Sequence, residues 1–136
     1  MSNITQVVNA EKHMTTLKKG VRASGLNEIL SSTGPFTLFA PSDVAFEKMD
    51  KTVLEDLLKP ENKTKLADLL NYHVVPGKIN YKDLKDRERL KTVNGEELLV
   101  HVKDGEVSIE GAVIQNRDVK TSNGVIHSLD TVMMKN

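Results

Sequence analysis

The sequence contains no cysteine and no tryptophan, and aromatic residues make up only 4% of it. Without cysteine, disulfides and thiolate metal sites are excluded. The shortage of aromatic rings argues against a surface that stacks bases or sugars. Basic and acidic residues each number 19, so the formal net charge is zero. Nucleic acid is therefore not expected as a partner, and neither is strong attraction to an anionic membrane.

A long hydrophobic run is also missing. No stretch approaches the roughly 18 consecutive apolar residues of a membrane-spanning helix, and the N-terminal region, which carries Lys12, Lys18 and Lys19, contains no secretory signal. The first absence predicts that no segment spans a membrane. The second predicts that the protein either stays in the cytosol or has lost a leader. The chain is long enough to bury a core, and we expect one domain over residues 1–136.

One stretch, from Gly34 to Phe46, gathers all three phenylalanines. Its first part is expected to be a central strand, because Leu38 would face one side and Phe39 the other, and proline then ends it. Ser42 fits a helix N-cap. Asp43 would follow in the first turn of that helix, where the helix dipole favours a negative charge.

Apolar residues recur at helical spacing in the first part of the chain and alternate in the last part. Thr52 and Glu55 fit a capping box at the start of one helix. Three dipeptides predict tight turns between strands: Asn94-Gly95, Asp104-Gly105 and Asn123-Gly124. Helices that precede strands in this way predict an α+β domain.

Three motifs together resemble conserved boxes of the fasciclin domain family. Residues 34–46 (GPFTLFAPSDVAF) resemble the first box, residues 69–77 (LLNYHVVPG) the central Tyr-His box, and residues 123–132 (NGVIHSLDTV) a terminal box. The resemblance implies a fasciclin-like α+β fold, in which N-terminal helices pack on a C-terminal, antiparallel-rich β wedge or sandwich. It also implies adhesion or matrix contact outside the cell, at its surface or in the periplasm.

Two residue pairs match family motifs that have been linked to integrin binding in animal members. Tyr72 and His73 match a Tyr-His motif, and Asp118 and Val119 lie where those members carry Asp-Ile. Valine replaces isoleucine here and Arg117 precedes the pair, which counts against integrin as the partner. A single bare domain is the form typical of microbial members. The five residues are our candidate binding residues.

Buried histidines offer a structural explanation for part of this pattern. His73 shares a helical stripe with Leu66, Leu69 and Leu70, which predicts a buried imidazole held by one or two hydrogen bonds. His127 lies in an alternating strand and is expected to be half-buried. Neither residue then needs a partner outside the protein.

No signature of catalysis or metal binding accompanies these residues. The sequence has no Gly-x-Ser-x-Gly motif and no phosphate loop, and its histidines lack the short spacings of zinc ligands. We predict a non-enzymatic binding module in cell adhesion, without cofactor or metal, whose partner is a protein or a surface polymer. The alternative is an intracellular or periplasmic protein that binds a small molecule or lipid between sheet and helices.

Overall fold

The structure, a computed structural model, describes residues 2–133. Met1 and residues 134–136 belong to the predicted domain but lie outside the described residues. The helices are α1 (Ile4–Ala10), α2 (Thr15–Ser24), α3 (Asn27–Leu30), α4 (Asp43–Glu47), α5 (Lys51–Leu57) and α6 (Lys63–Asn71), with 3-10 turns at Pro60–Asn62 and Tyr81–Asp83. The strands are β1 (Phe36–Pro41), β2 (Val74–Pro76), β3 (Arg89–Lys91), β4 (Glu97–Lys103), β5 (Glu106–Ile109), β6 (Ala112–Val113), β7 (Val119–Thr121) and β8 (Gly124–Leu129).

The strands form two four-stranded sheets. The first has the order β2-β1-β8-β7, and its central strands β1 and β8 are parallel, from Phe36 opposite Gly124 to Pro41 opposite Leu129. The outer strands of this sheet pair antiparallel with their neighbours. The second sheet, in the order β3-β4-β5-β6, is antiparallel throughout. The predicted α+β, fasciclin-like fold is confirmed.

The first sheet lies between the helices and the second sheet, and β1 shows this most clearly. Leu38 and Ala40 pack with the helices in one hydrophobic cluster. Phe39 points to the other side and packs with the antiparallel sheet in a second cluster. The alternation that predicted a strand covered on both faces is therefore confirmed.

Gly124 begins β8 where two backbones meet closely. A Cβ atom at this position would collide with the backbone carbonyl of Phe36, its partner in β1. Only glycine leaves room for the approach that starts the parallel pairing. The predicted turn at Asn123-Gly124 is confirmed, since it joins β7 to β8.

The predicted capping box at Thr52 and Glu55 is wrong. Helix α5 begins at Lys51, and Asp50 is its N-cap, with a carboxylate that accepts a hydrogen bond from the Thr52 N–H at 2.8 Å. Asp50 is as good a cap as threonine and comes two positions earlier, so Thr52 falls within the first turn.

Asp43 lies in the first turn of α4, as predicted, but its hydrogen bonds go to a different helix. Its carboxylate accepts from the Thr16 N–H and from the Thr15 hydroxyl, both at 2.9 Å. It thereby caps α2, whose own N-cap, Met14, offers no side-chain hydrogen bond. Partial burial raises the pKa of Asp43, but the hydrogen bonds outweigh it and the net pKa is lowered.

Ser42 occupies the N-cap position of α4 without capping it. Its hydroxyl donates instead to the carbonyl of Leu129 at 3.1 Å, which ties the end of β1 to the end of β8. Within residues 2–133, no helix has the length and apolar character needed to cross a bilayer, since the longest, α2, has ten residues.

Candidate binding site

Arg117 and Asp118 lie in the loop between β6 and β7, which runs along β8. The Gln115 N–H donates to the carbonyl of Ser128 at 2.8 Å, and the Asn116 N–H donates to the Ser128 hydroxyl at 2.9 Å. The Ser128 N–H donates back to the Asn116 carbonyl at 2.7 Å. The loop then turns at Asp118, whose φ of 57° is left-handed. Backbone contacts therefore fix the loop before it reaches the turn.

His127 contacts the loop from the interior of the sheet. Its Nδ1 accepts a hydrogen bond from the Asp118 N–H at 3.2 Å, which leaves Nε2–H to donate to the Ile79 carbonyl at 2.8 Å. Its ring stacks on Phe39 with centroids 5.7 Å apart. Burial lowers the pKa of His127, against the opposing effects of the Ile79 hydrogen bond and the Asp118 charge, so the neutral form is favoured.

His127 is more buried than the sequence predicted. The prediction was half-buried packing, whereas its side chain is fully enclosed. The alternation in β8 does not mark an exposed face, because the helices cover one side of this strand and the second sheet covers the other.

The two side chains of the turn point in different directions. The Asp118 carboxylate accepts a hydrogen bond from the Tyr81 N–H at 2.8 Å and so faces the protein. The Arg117 guanidinium is exposed and lies 4.2 Å from the centroid of the Tyr81 ring, in a cation–π contact. The turn thus presents a positive charge to solvent, held on an aromatic ring.

Tyr72 and His73, the other candidate pair, are buried where α6 meets β2. Tyr72 is 5% exposed, and its hydroxyl donates to the Glu110 carboxylate at 3.3 Å. Burial and the negative charge of Glu110 raise the pKa of Tyr72 to about 12. His73 is fully buried, as predicted, and burial lowers its pKa to about 4. The binding role of this pair stays a prediction.

Both ring nitrogens of His73 are occupied. Nε2 accepts a hydrogen bond from the Met133 N–H at 3.0 Å, so Nδ1 carries the proton and donates to the Leu69 carbonyl at 2.8 Å. His127 is saturated in the same manner with the opposite tautomer. Within residues 2–133, no three His, Asp or Glu side chains form a group that could hold a metal ion.

The two candidate pairs are connected through the core. The Phe39 N–H donates to the His73 carbonyl at 2.9 Å, and the Phe39 ring stacks on His127, which holds the Asp118 N–H. Tyr72 and His73 are therefore linked to the Arg117 turn through the buried residues Phe39 and His127. They do not share an exposed surface with that turn.

A groove of about 500 Å³ opens beside Arg117. It is lined by Lys78, Asn80, Tyr81, Lys82, Arg117, Asp118 and Lys120. We call it the basic groove. Sequence reasoning missed its lysines and Tyr81, because they come from two distant segments whose charges look like ordinary solvated residues. The Tyr81–Asp118 hydrogen bond and the contact of Arg117 with the Tyr81 ring bring the two segments together.

A second cavity, of about 260 Å³, adjoins the same loop through Val119. Its other lining residues come from the α1–α2 region, the start of α4, the β6–β7 loop and β8: Val7, Glu11, His13, Met14, Ser42, Asp43, Val44, Gln115, Asn116, Ile126 and Ser128. Val119 is thus partly buried and faces this cavity, while Arg117 and Asp118 line the basic groove.

Comparison with known proteins agrees with the three motifs. The family model described as fasciclin domain matches residues 12–135. The chain belongs to the fasciclin domain family. Over 131 residues, this fasciclin domain is 44% identical to protein sll1483 of Synechocystis sp. (strain ATCC 27184 / PCC 6803 / Kazusa), a match that spans 96% of this chain and 72% of that protein. A Synechocystis relative fits the expected microbial form.

Larger proteins contain similar domains. This fasciclin domain is 37% identical to part of the transforming growth factor-beta-induced protein ig-h3 of Sus scrofa. The match spans 98% of this chain and 19% of that protein. Its fold matches a FAS1 domain pair from the insect cell adhesion molecule fasciclin I with a TM-score of 0.88, at 20% identity, across 98% of this chain and 51% of that one. The structural match establishes the fold alone.

Proposed function

We propose that this fasciclin domain is a non-enzymatic binding module that mediates adhesion, at the cell surface or in the space outside the cytoplasm. The observation that carries the proposal is the exposed Arg117 held at a rigid turn against Tyr81. Support also comes from the fold, which is shared with an insect cell adhesion molecule. The partner is a protein or a surface polymer.

Rigidity is what makes the Arg117 turn suitable for recognition. Two backbone hydrogen bonds with Ser128, one with its hydroxyl and one with the His127 ring order the loop before any partner arrives. A preorganised contact loses less conformational freedom on binding than a mobile loop does. Arginine is also enriched among the residues that dominate binding energy at interfaces.

Asp118, Tyr72 and His73 act indirectly in this proposal. The Asp118 carboxylate positions the Tyr81 turn, and the Asp118 N–H is held by His127. Tyr72 packs edge-on against the ring of His73. The His73 carbonyl holds the Phe39 N–H, and Phe39 stacks on His127. Changes at these residues would weaken binding by loosening the turn, whereas a change at Arg117 would remove a direct contact.

The proposal is tested by retention on intact cells of the source organism. Fluorescently labelled protein would be added to the cells, and the fraction that remains after washing would be measured. We expect Arg117→Ala to lower this fraction at least threefold, because the exposed charge is lost. The matched control is Arg22→Ala, which removes an exposed arginine from α2 and should leave retention unchanged.

Two results would count against the proposal, the first against adhesion and the second against the Arg117 turn. The wild-type protein could wash off as completely as an unrelated protein of the same size, which would refute a surface-binding role. Alternatively, Arg117→Ala and Arg22→Ala could reduce retention equally, which would show that the Arg117 turn is not the contact.

The cavity beside Val119 favours a second candidate function, the binding of a small apolar ligand. Its volume of about 260 Å³ lies near the lower end of the roughly 300–1,000 Å³ of most ligand pockets. A hydrophobic fluorescent dye would serve as the probe. Val119→Trp should fill the cavity and abolish dye fluorescence, whereas Val53→Trp, at an exposed position on α5, should not. No fluorescence with the wild-type protein would refute this function.

A further inference from the structure

The basic groove concentrates positive charge on a molecule whose formal net charge is zero. Four cationic side chains line it, and all four are exposed or partly exposed: Lys78, Lys82, Arg117 and Lys120. None of the four takes part in an ion pair with the described residues. Within the Debye length of about 8 Å at physiological salt, such charges reinforce one another, so the groove attracts anions although the whole protein does not.

The carboxylates at this groove are already used by backbone groups. Asp118, the acidic residue of the lining, accepts from the Tyr81 N–H at 2.8 Å. Asp83, next to Lys82, accepts from the Asn80 N–H at 3.3 Å. Neither carboxylate forms a salt bridge with the cations of the groove. The cations therefore remain available to an external anion.

The lining contains no aliphatic side chain, and the ring of Tyr81 carries Arg117 at 4.2 Å. A protein partner would be expected to insert apolar or aromatic anchors into such a site, because the buried centre of a protein interface is rich in them. A hydrated polymer with repeated negative charges needs no apolar pocket. Its anionic groups match separate, exposed lysines, and a groove of about 500 Å³ can take a short stretch of such a chain.

We propose that the basic groove binds an acidic polysaccharide, one whose sugar units carry carboxylate or sulfate groups. This inference rests on the proposed adhesion function and specifies its partner as a polyanionic surface polymer. Recognition is by charge and not by stacking, which agrees with the scarcity of aromatic residues. Affinity falls as salt concentration rises, since each contact releases counterions from the polymer.

The test measures binding of three purified polysaccharides by titration calorimetry: heparin as the sulfated probe, polygalacturonate as the carboxylated probe and dextran as the neutral one. We expect at least one of the two anionic polymers to bind and dextran not to bind. The double variant Arg117→Gln/Lys120→Gln should weaken binding at least about tenfold and flatten its salt dependence, because two ionic contacts are lost.

The matched control is Lys19→Gln/Arg22→Gln, which removes one lysine and one arginine from α2, away from the groove. It should stay within about twofold of the wild type. Equal weakening by the two double variants would overturn the proposal, because binding would then follow overall charge and not the groove. Thermal unfolding of each variant confirms that it is folded before its binding is compared.

Other polyanions decide the class of ligand. If poly-glutamate or duplex DNA bound as tightly as the polysaccharides, the assignment to a polysaccharide would be overturned.

The cell-retention and polysaccharide experiments together separate this proposal from the adhesion proposal. If Arg117→Ala abolishes retention on cells but no purified polysaccharide binds, adhesion stands and the polysaccharide assignment falls. If polysaccharide binds at the groove but the protein is not retained on cells, adhesion falls instead.

Discussion

His73 accepts a hydrogen bond from the Met133 N–H at 3.0 Å, across 60 residues of sequence. The end of α6 is thereby joined to the segment that follows β8. The imidazole is fully buried, and its other nitrogen donates to the Leu69 carbonyl. Both ring nitrogens therefore have partners within the protein and need no water molecule. The Tyr-His motif therefore has a structural role in this molecule, whatever its part in binding.

Replacing His73 should cost stability. We expect His73→Ala to lower the free energy of unfolding by about 1–3 kcal/mol, because it leaves a void and an unpaired Met133 N–H. Chemical denaturation measures the change. His101→Ala, at an exposed position in β4, is the control and should stay close to the wild type. An unchanged denaturation midpoint for His73→Ala would contradict the structural role and favour a functional role for His73.

Acid should begin to destabilise the protein at a pH above the range in which carboxylates titrate. The pKa of His73 is about 4 in the folded protein, against 6.5 ordinarily. As pH falls from about 6.5 towards 4, the unfolded chain gains a proton that the folded chain does not, so the free energy of unfolding decreases, by up to about 3 kcal/mol. His127, whose pKa is also lowered, acts in the same direction.

Urea denaturation at several pH values between about 7.5 and about 4 measures this dependence. His73→Gln should flatten the profile, since glutamine does not titrate, and His101→Gln should leave it unchanged. A wild-type profile that is flat from about pH 7 to 5 would show that the buried histidines do not differ in proton affinity between the folded and unfolded chains.

Asp43 should stabilise α2 although it belongs to α4. We expect Asp43→Ala to cost about 1–2 kcal/mol, because Thr16 N–H and the Thr15 hydroxyl lose their acceptor. Asp43→Asn keeps one oxygen acceptor and should recover most of the loss. Thermal denaturation compares the three proteins. If the alanine and asparagine variants are equally destabilised, the charge of Asp43 and not its hydrogen bonds is what matters.

Gly124 should tolerate no side chain. Gly124→Ala would place a methyl group against the Phe36 carbonyl, and a backbone atom there cannot move aside, so we expect a loss on the order of 3 kcal/mol or more. Gly77→Ala is the matched control. Gly77 also has a positive φ but has no neighbour near the added Cβ, so its cost is limited to strain of about 1–2 kcal/mol. Equal losses in thermal denaturation would contradict the steric explanation.

Local chemistry made the short-range features predictable. The alternation of Leu38 and Phe39 predicts a strand with two apolar faces, and the structure covers both. The stripe that ends at His73 predicts its burial correctly. Such patterns depend on neighbours a few residues apart, which the sequence displays directly.

Long-range partners could not be predicted in this way. The sequence shows Asp43 beside Ser42, but the groups that bind its carboxylate lie 27 and 28 residues earlier in the chain. Likewise, Tyr81 and Asp118 are 37 residues apart, and their hydrogen bond, with the contact of Arg117 on Tyr81, brings the lysines of the basic groove together. Candidate residues such as Arg117 came from the family motif, whereas the groove beside them came from tertiary structure.

The parallel pairing of β1 with β8 also constrains how the molecule is made. Ser42, at the end of β1, bonds to Leu129, 87 residues later, so the centre of the first sheet stays incomplete until nearly all the described chain has left the ribosome. Until then the helices and β1 hold an unpaired strand edge and exposed apolar residues, which favour aggregation. Such distant contacts also slow folding. Nascent chains that stop before β8 are therefore expected to be clients of chaperones.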